Sequence, residues 1–108
     1  MHRALDTAGP LLLADLDPAD VRSGTPRAGH RVLDDLAGVE VGVWEMTPGT
    51  AVDVEVDEVF VVIAGRARVR FDDGEEIALV PGVTVRLRAG ERTVWTVEET
   101  LRKVYVCA

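Results

Sequence analysis

The stretch EVFVVIAGRARVRFDDGEEIALV, running from Glu58 to Val80, decides the fold. Its side chains alternate: Glu58, Phe60 and Val62 fall on one side and Val59, Val61 and Ile63 on the other. Past Gly65, the residues Ala67, Val69 and Phe71 point inward while Arg66, Arg68 and Arg70 point out. A period of two is the period of a strand, because successive Cβ atoms leave the backbone toward opposite faces. Asp72-Asp73-Gly74 then ends the run, and a glycine that reaches positive φ without steric cost makes this a tight hairpin turn. The return strand is Glu76 to Val80.

The same reading extends in both directions. Upstream, Val39, Val41 and Val43 share a face, as do Val52, Val54 and Val56. Downstream, Pro81-Gly82 and Ala89-Gly90 punctuate the runs VTVRLR and TVWTV, and LRKVYVC closes the chain. Short strands at near-regular spacing predict a sandwich or barrel rather than a parallel sheet with crossover helices. Before residue 38 the pattern fades: LLLADLDPADVRSG and TPRAGHRVLDDLAG mix apolar and acidic residues with Pro and Gly. At most one helical turn follows Asp17-Pro18, where Asp caps and Pro takes the first helical position. Residues 1–37 therefore read as an N-terminal arm and edge strand, and residues 38–108 as the barrel of a single structural domain.

Length and charge bound the function. A chain of 108 residues, 47% hydrophobic and 29% charged, supports one modest core. Nineteen acidic against twelve basic residues give a formal charge of −7, the wrong sign for a phosphate backbone, so no nucleic-acid partner is expected. Leu11 to Leu13 is too short an apolar run to span a bilayer, and MHRALDTAG lacks the basic start and apolar core of an export signal, so the expected location is the cytoplasm, away from membranes. Cys107 has no partner for a disulfide and no cationic neighbours in sequence, which makes it a structural thiol. Arg66, Arg68, Arg70, Arg86 and Arg88 read as a solvated sheet face.

From residue 38 to residue 106 the chain resembles the small cupins, in particular the branch of ureidoglycine aminohydrolase and the ethanolamine-utilisation cupins. The matching pieces are Gly42-Val43-Trp44-Glu45 leading to Thr47-Pro48-Gly49, Asp57-Glu58-Val59 ending at Gly65, Asp73-Gly74, Gly82, Ala89-Gly90, Thr93-Val94-Trp95 and Arg102-Lys103-Val104-Tyr105. The resemblance implies an all-β fold, an antiparallel jelly-roll barrel of the RmlC type, and a homodimer. It also implies a metal site of two His and one Glu from the first motif and a His from the second. Here only the Glu survives, as Glu58; the histidine positions hold Ala51, Asp53 and Thr93. Zinc, iron and nickel favour imidazole or thiolate, so the usual centre is compromised. A hard ion, Mn²⁺ or Mg²⁺, on Asp53 and Glu58 is the alternative. Against it, Asp53, Glu55 and Asp57 share one parity and Glu58 the other, so an uninterrupted strand cannot bring them all together. His2 and His30 lie outside the motifs, on the terminus and the arm.

The residues left to form a ligand site are Trp44 and Trp95 as flat walls, Phe60 and Val62 deeper, Thr93 as a hydroxyl, Tyr105 as an aromatic with a polar tip, and Asp53. Equally, these aromatics could fill a narrow barrel. Glu58 is the candidate catalytic acid or base if burial leaves it without a cation, or half of a structural ion pair if Lys103 or Arg102 meets it. Three readings follow. The first is a small-molecule-binding cupin with a degenerate metal site. The others are a hydrolase- or lyase-type enzyme on a small nitrogenous or carbonyl metabolite, and a non-catalytic dimeric structural protein.

Overall fold

A computed structural model describes residues 3–108, and His2 lies outside them. Nine strands and no helix make up the described chain: β1 (Ala14–Asp15), β2 (Val21–Ser23), β3 (Arg27–Leu36), β4 (Val39–Met46), β5 (Gly49–Val54), β6 (Glu58–Phe71), β7 (Glu76–Leu79), β8 (Thr84–Leu87) and β9 (Arg92–Cys107). All pairings are antiparallel. The sheet curls on itself as an all-β jelly-roll barrel, the fold that the cupin resemblance implies. None of its segments is a helix long and apolar enough to cross a membrane.

The longest strand organises the rest. TVWTV and LRKVYVC, read separately in the sequence, belong to one 16-residue strand, β9. On one edge its first half pairs with β5 and its second half with β4, while β6 follows it along the other edge. The bend that lets both halves close the barrel sits where Ala64 to Arg66 lose register with β9. Gly65 is there at φ +94°, its backbone so near the Thr100 carbonyl that a β-carbon would collide with it. Downstream of that bend the hairpin forms as expected: the Phe71 N–H donates to Glu75 O at 2.8 Å and Gly74 takes φ +92°.

Alternation also partitions the side chains. Phe60, Val62, Val69, Leu79, Leu87 and Leu101 are buried in the core. The arginines of the outer face are exposed, pairing with Glu98, Glu76 and Asp57, the solvated face that their spacing predicts. Asp17 starts a single turn, accepting from the Ala19 N–H at 2.9 Å. The segment before β1 crosses the outer face of the sheet, where Arg102 Nη1 donates to the carbonyls of Thr7 and Gly9 while its Nε donates to Glu45 at 2.9 Å. A guanidinium is suited to this because its donors fan out in one plane.

Candidate functional site

At the end of the barrel where β3, β4, β5 and β9 meet, a cavity of about 490 Å³ opens to solvent. Five of the residues expected to form a site line it: Trp44, Asp53, Glu58, Trp95 and Tyr105. Phe60 lies just beneath, its ring centroid 5.6 Å from that of Trp95. Val62 packs into the core and Thr93 lies behind the wall, both buried and neither reaching the main cavity.

The deepest feature is an ion pair. Lys103, the sole lysine of the chain, donates from Nζ to Glu58 Oε2 at 2.6 Å, with both side chains at least nine-tenths buried. Alternation on β6 and β9 produces the pair, because Val62 stands opposite Lys103 in the register and Glu58 opposite Cys107, on the inner face with Phe60. Three rings surround the ammonium: Nζ is 4.3 Å from the Phe60 centroid, 4.8 Å from Trp44 and 4.9 Å from Trp95. The negative π-faces compensate in part for the water that the ammonium has given up. Glu58 is thus not the cation-free carboxyl that a general acid would need.

Glu55 is the residue that the sequence pattern misplaced. Its parity with Asp53 and Asp57 put it apart from Glu58, but β5 ends at Val54 and residues 55–57 turn before β6. The turn resets the alternation. Glu55 swings into the cavity wall, 7% exposed, and Asp57 goes outside to meet Arg86 at 3.2 Å. Glu55 Oε2 accepts from the Thr93 hydroxyl at 2.5 Å and from the Trp95 indole N–H at 3.0 Å. Burial pushes the Glu55 carboxyl above its ordinary value, opposed by the Thr93 hydrogen bond and reinforced by nearby Asp53. Asp53 shifts the same way, chiefly by desolvation, against the hydrogen bond from the Val54 N–H.

On the opposite wall the Tyr105 hydroxyl donates to Glu40 Oε2 at 2.7 Å. Burial first and then this acceptor raise its pKa far above the ordinary phenol value, so it remains a donor. Tyr105 has room because residue 42 is glycine: a β-carbon there would strike the ring. His30 stands opposite Trp44 in the register, exposed on the rim. Cys107 Sγ is 4.0 Å from Glu40, and burial together with that carboxylate raises the thiol pKa, the reverse of nucleophile activation.

The donor set does not suit the metal that cupins commonly hold. Of the positions that would supply imidazoles, Ala51 is apolar, Thr93 is committed to Glu55, and Asp53 offers a carboxylate in place of an imidazole. Among the described residues, no three His, Cys, Asp or Glu side chains stand together as a metal centre requires. Lys103 adds the decisive cost. A divalent ion on Glu58 would lie within about 5 Å of the ammonium, a repulsion of about 7 kcal/mol at an effective dielectric constant of about 20.

Comparison with known proteins follows the same lines. Residues 33–105 match the family model described as the EutQ-like cupin domain. A protein of unknown function from Pseudomonas syringae pv. tomato str. DC3000 superposes with a TM-score of 0.82 at 25% identity, over 96% of this chain and 46% of that one. This chain therefore spans less than half of that relative's length. A structural-genomics protein of unknown function from Rhizobium leguminosarum bv. viciae 3841 gives 0.67 at 26% identity, covering 74% of this chain and 79% of that one. The EutQ protein of Clostridium difficile gives 0.67 at 22% identity, covering 86% and 74%. No functionally curated protein matches. The family match spans well over half of the sequence, and the chain belongs to the EutQ-like cupin domain family.

Proposed function

We propose that this cupin binds a small molecule in the cavity that Trp44 and Trp95 border, with the Lys103 ammonium as the fixed cation at its floor in place of a metal. The observation that carries the reading is the cavity itself: its volume of about 490 Å³ falls within the usual range for metabolite sites, and apolar rings alternate with a few convergent polar groups. A barrel filled by its own side chains would leave no such space. Binding, rather than turnover, fits a floor whose one carboxylate of catalytic promise is already paired.

The protein works as a homodimer on this reading. Val41, Val106 and Val59 stand side by side across β4, β9 and β6 on the face away from the cavity, and Val59 and Val106 are exposed. Apolar sheet faces of this kind are the usual seat of self-association.

The test is a metabolite screen read by the fluorescence of Trp44 and Trp95, run with and without a chelator. Saturable binding that survives chelation supports the reading. A screen with no saturable response, or a response abolished by chelation and restored by Mn²⁺ or Mg²⁺, overturns it.

A further inference from the structure

The cavity's charges are far out of balance. Among the described residues six carboxylates face it, Asp17, Asp20, Glu40, Asp53, Glu55 and Glu58, against one ammonium, Lys103, with His30 at the rim. Two of the six are spoken for by Tyr105 and Lys103. Glu55 is different: it is nine-tenths buried, yet only its Oε2 accepts hydrogen bonds from the described residues. No fully buried side-chain nitrogen or oxygen among the described residues lacks a partner. The unpartnered Glu55 Oε1 is therefore an atom that solvent reaches, and Glu55 meets solvent along the cavity wall. The Glu58 oxygen turned away from Lys103 is in the same position.

From this arrangement, which rests on the reading of the cavity as a ligand site, we infer that the ligand is a small organic cation bearing N–H donors, an ammonium or guanidinium on an apolar stem. Its charged end sits against Glu55 and Asp53, and its stem lies along Trp44 and Trp95. Those indoles already border one cation, Lys103, so the wall suits a second whose carboxylate partners, Glu55 and Asp53, the protein supplies. A carboxylate or phosphate ligand meets the opposite situation: its attraction to Lys103 is shared with Glu58 at 2.6 Å, and the remaining wall repels it. The raised pKa values of Asp53 and Glu55 fit the same picture, since a bound cation supplies the compensation that burial removes.

A shape-matched series separates charge from fit: benzylammonium, neutral benzyl alcohol and benzoate, titrated at pH 7.5 against tryptophan fluorescence. One charge-assisted contact is worth about a factor of ten, so benzylammonium should bind at least about tenfold more tightly than benzyl alcohol, with benzoate weakest. Glu55→Gln should cut the affinity for the cation about tenfold and leave that for the alcohol unchanged. Asp53→Asn, at an exposed rim position, should act in the same direction without threatening the fold. If benzyl alcohol or benzoate matches the cation, or if neither substitution changes the charge preference, the inference fails while the cavity remains a ligand site. If no compound of the series or of the metabolite screen binds, both fail.

Discussion

Replacing Lys103 with methionine keeps the length and apolar bulk of the side chain and removes the charge, which leaves Glu58 buried without its ammonium. Breaking one side of a buried pair costs about 3–5 kcal/mol because the surviving charge is uncompensated. Here the upper limit can be worked out, since a carboxylate in that position can take up a proton instead. From an ordinary glutamate pKa of about 4.3, that uptake costs about 3.7 kcal/mol at pH 7 and about 1 kcal/mol at pH 5. The Lys103→Met variant should therefore be destabilised by about 3–4 kcal/mol at pH 7 and by only about 1 kcal/mol at pH 5. The sign follows from linkage: the folded variant holds a proton that the unfolded chain releases, so stability falls as pH rises above the ordinary glutamate value.

Urea unfolding at the two pH values measures this, with Trp44 and Trp95 reporting from beside the substituted position. With a slope of roughly 1 kcal/mol per molar urea, the midpoint should drop by roughly 3 M at pH 7. The double variant Glu58→Gln, Lys103→Met leaves no charge at this pair and should recover most of the loss. A Lys103→Met protein as stable as the parent at pH 7, or equally destabilised at both pH values, would refute the assignment of a buried, charged pair.

Other perturbations address separate parts of the structure. Because folding raises the Glu55 and Asp53 pKa values, their contribution to stability is complete below ordinary carboxylate values and is lost as pH rises through the folded ones; Glu55→Gln should flatten that decline in a series of thermal melts. Gly65→Ala places a β-carbon against the Thr100 carbonyl at a positive φ and should cost at least about 2 kcal/mol in urea unfolding, whereas Gly74→Ala, also at positive φ but in open space, should cost less. Arg102→Met removes the donors that hold Thr7 and Gly9, so limited proteolysis should cut within the first dozen residues much faster than in the parent. Val106→Arg on the exposed sheet face should convert a dimer to a monomer in light scattering, with the circular dichroism unchanged; a parent that is already monomeric sinks the dimer proposal.

How far the sequence reached depended on whether chain direction stayed constant. Along β9 it does, and along β6 it does on either side of the bend at Gly65, so alternation counted afresh past that glycine placed Phe60, Val69, Trp95 and Tyr105 inside and the arginine ladder outside. The hairpin at Asp72-Asp73-Gly74 was legible because its glycine has one conformational purpose. Parity counting failed at residues 55–57, where a short turn resets the period without any glycine or proline to announce it. That is why parity alone sets Glu55 on the side away from Glu58. Lys103 was legible as one partner for Glu58 among others, but its ring cage was not, because Trp44, Phe60 and Trp95 come from three different strands.

The exchange of a metal for a lysine changes what the scaffold can do. A metal ion with an open coordination position binds an oxygen directly, polarises it and acidifies a bound water. The Lys103 ammonium has no coordination sphere to open; it can donate hydrogen bonds and contribute charge, and one of its three donors is already given to Glu58. What it gains is permanence: it is covalently part of β9 and cannot be chelated away. On the proposed reading the central cation is fixed and paired with Glu58, the surplus carboxylates around it set the dominant field, and recognition favours cationic donors that satisfy Glu55 and Asp53 over anionic donors that would ligate a metal. On that reading the floor offers binding, orientation and proton exchange with the Glu55 wall, and ligand binding should persist undiminished in chelator.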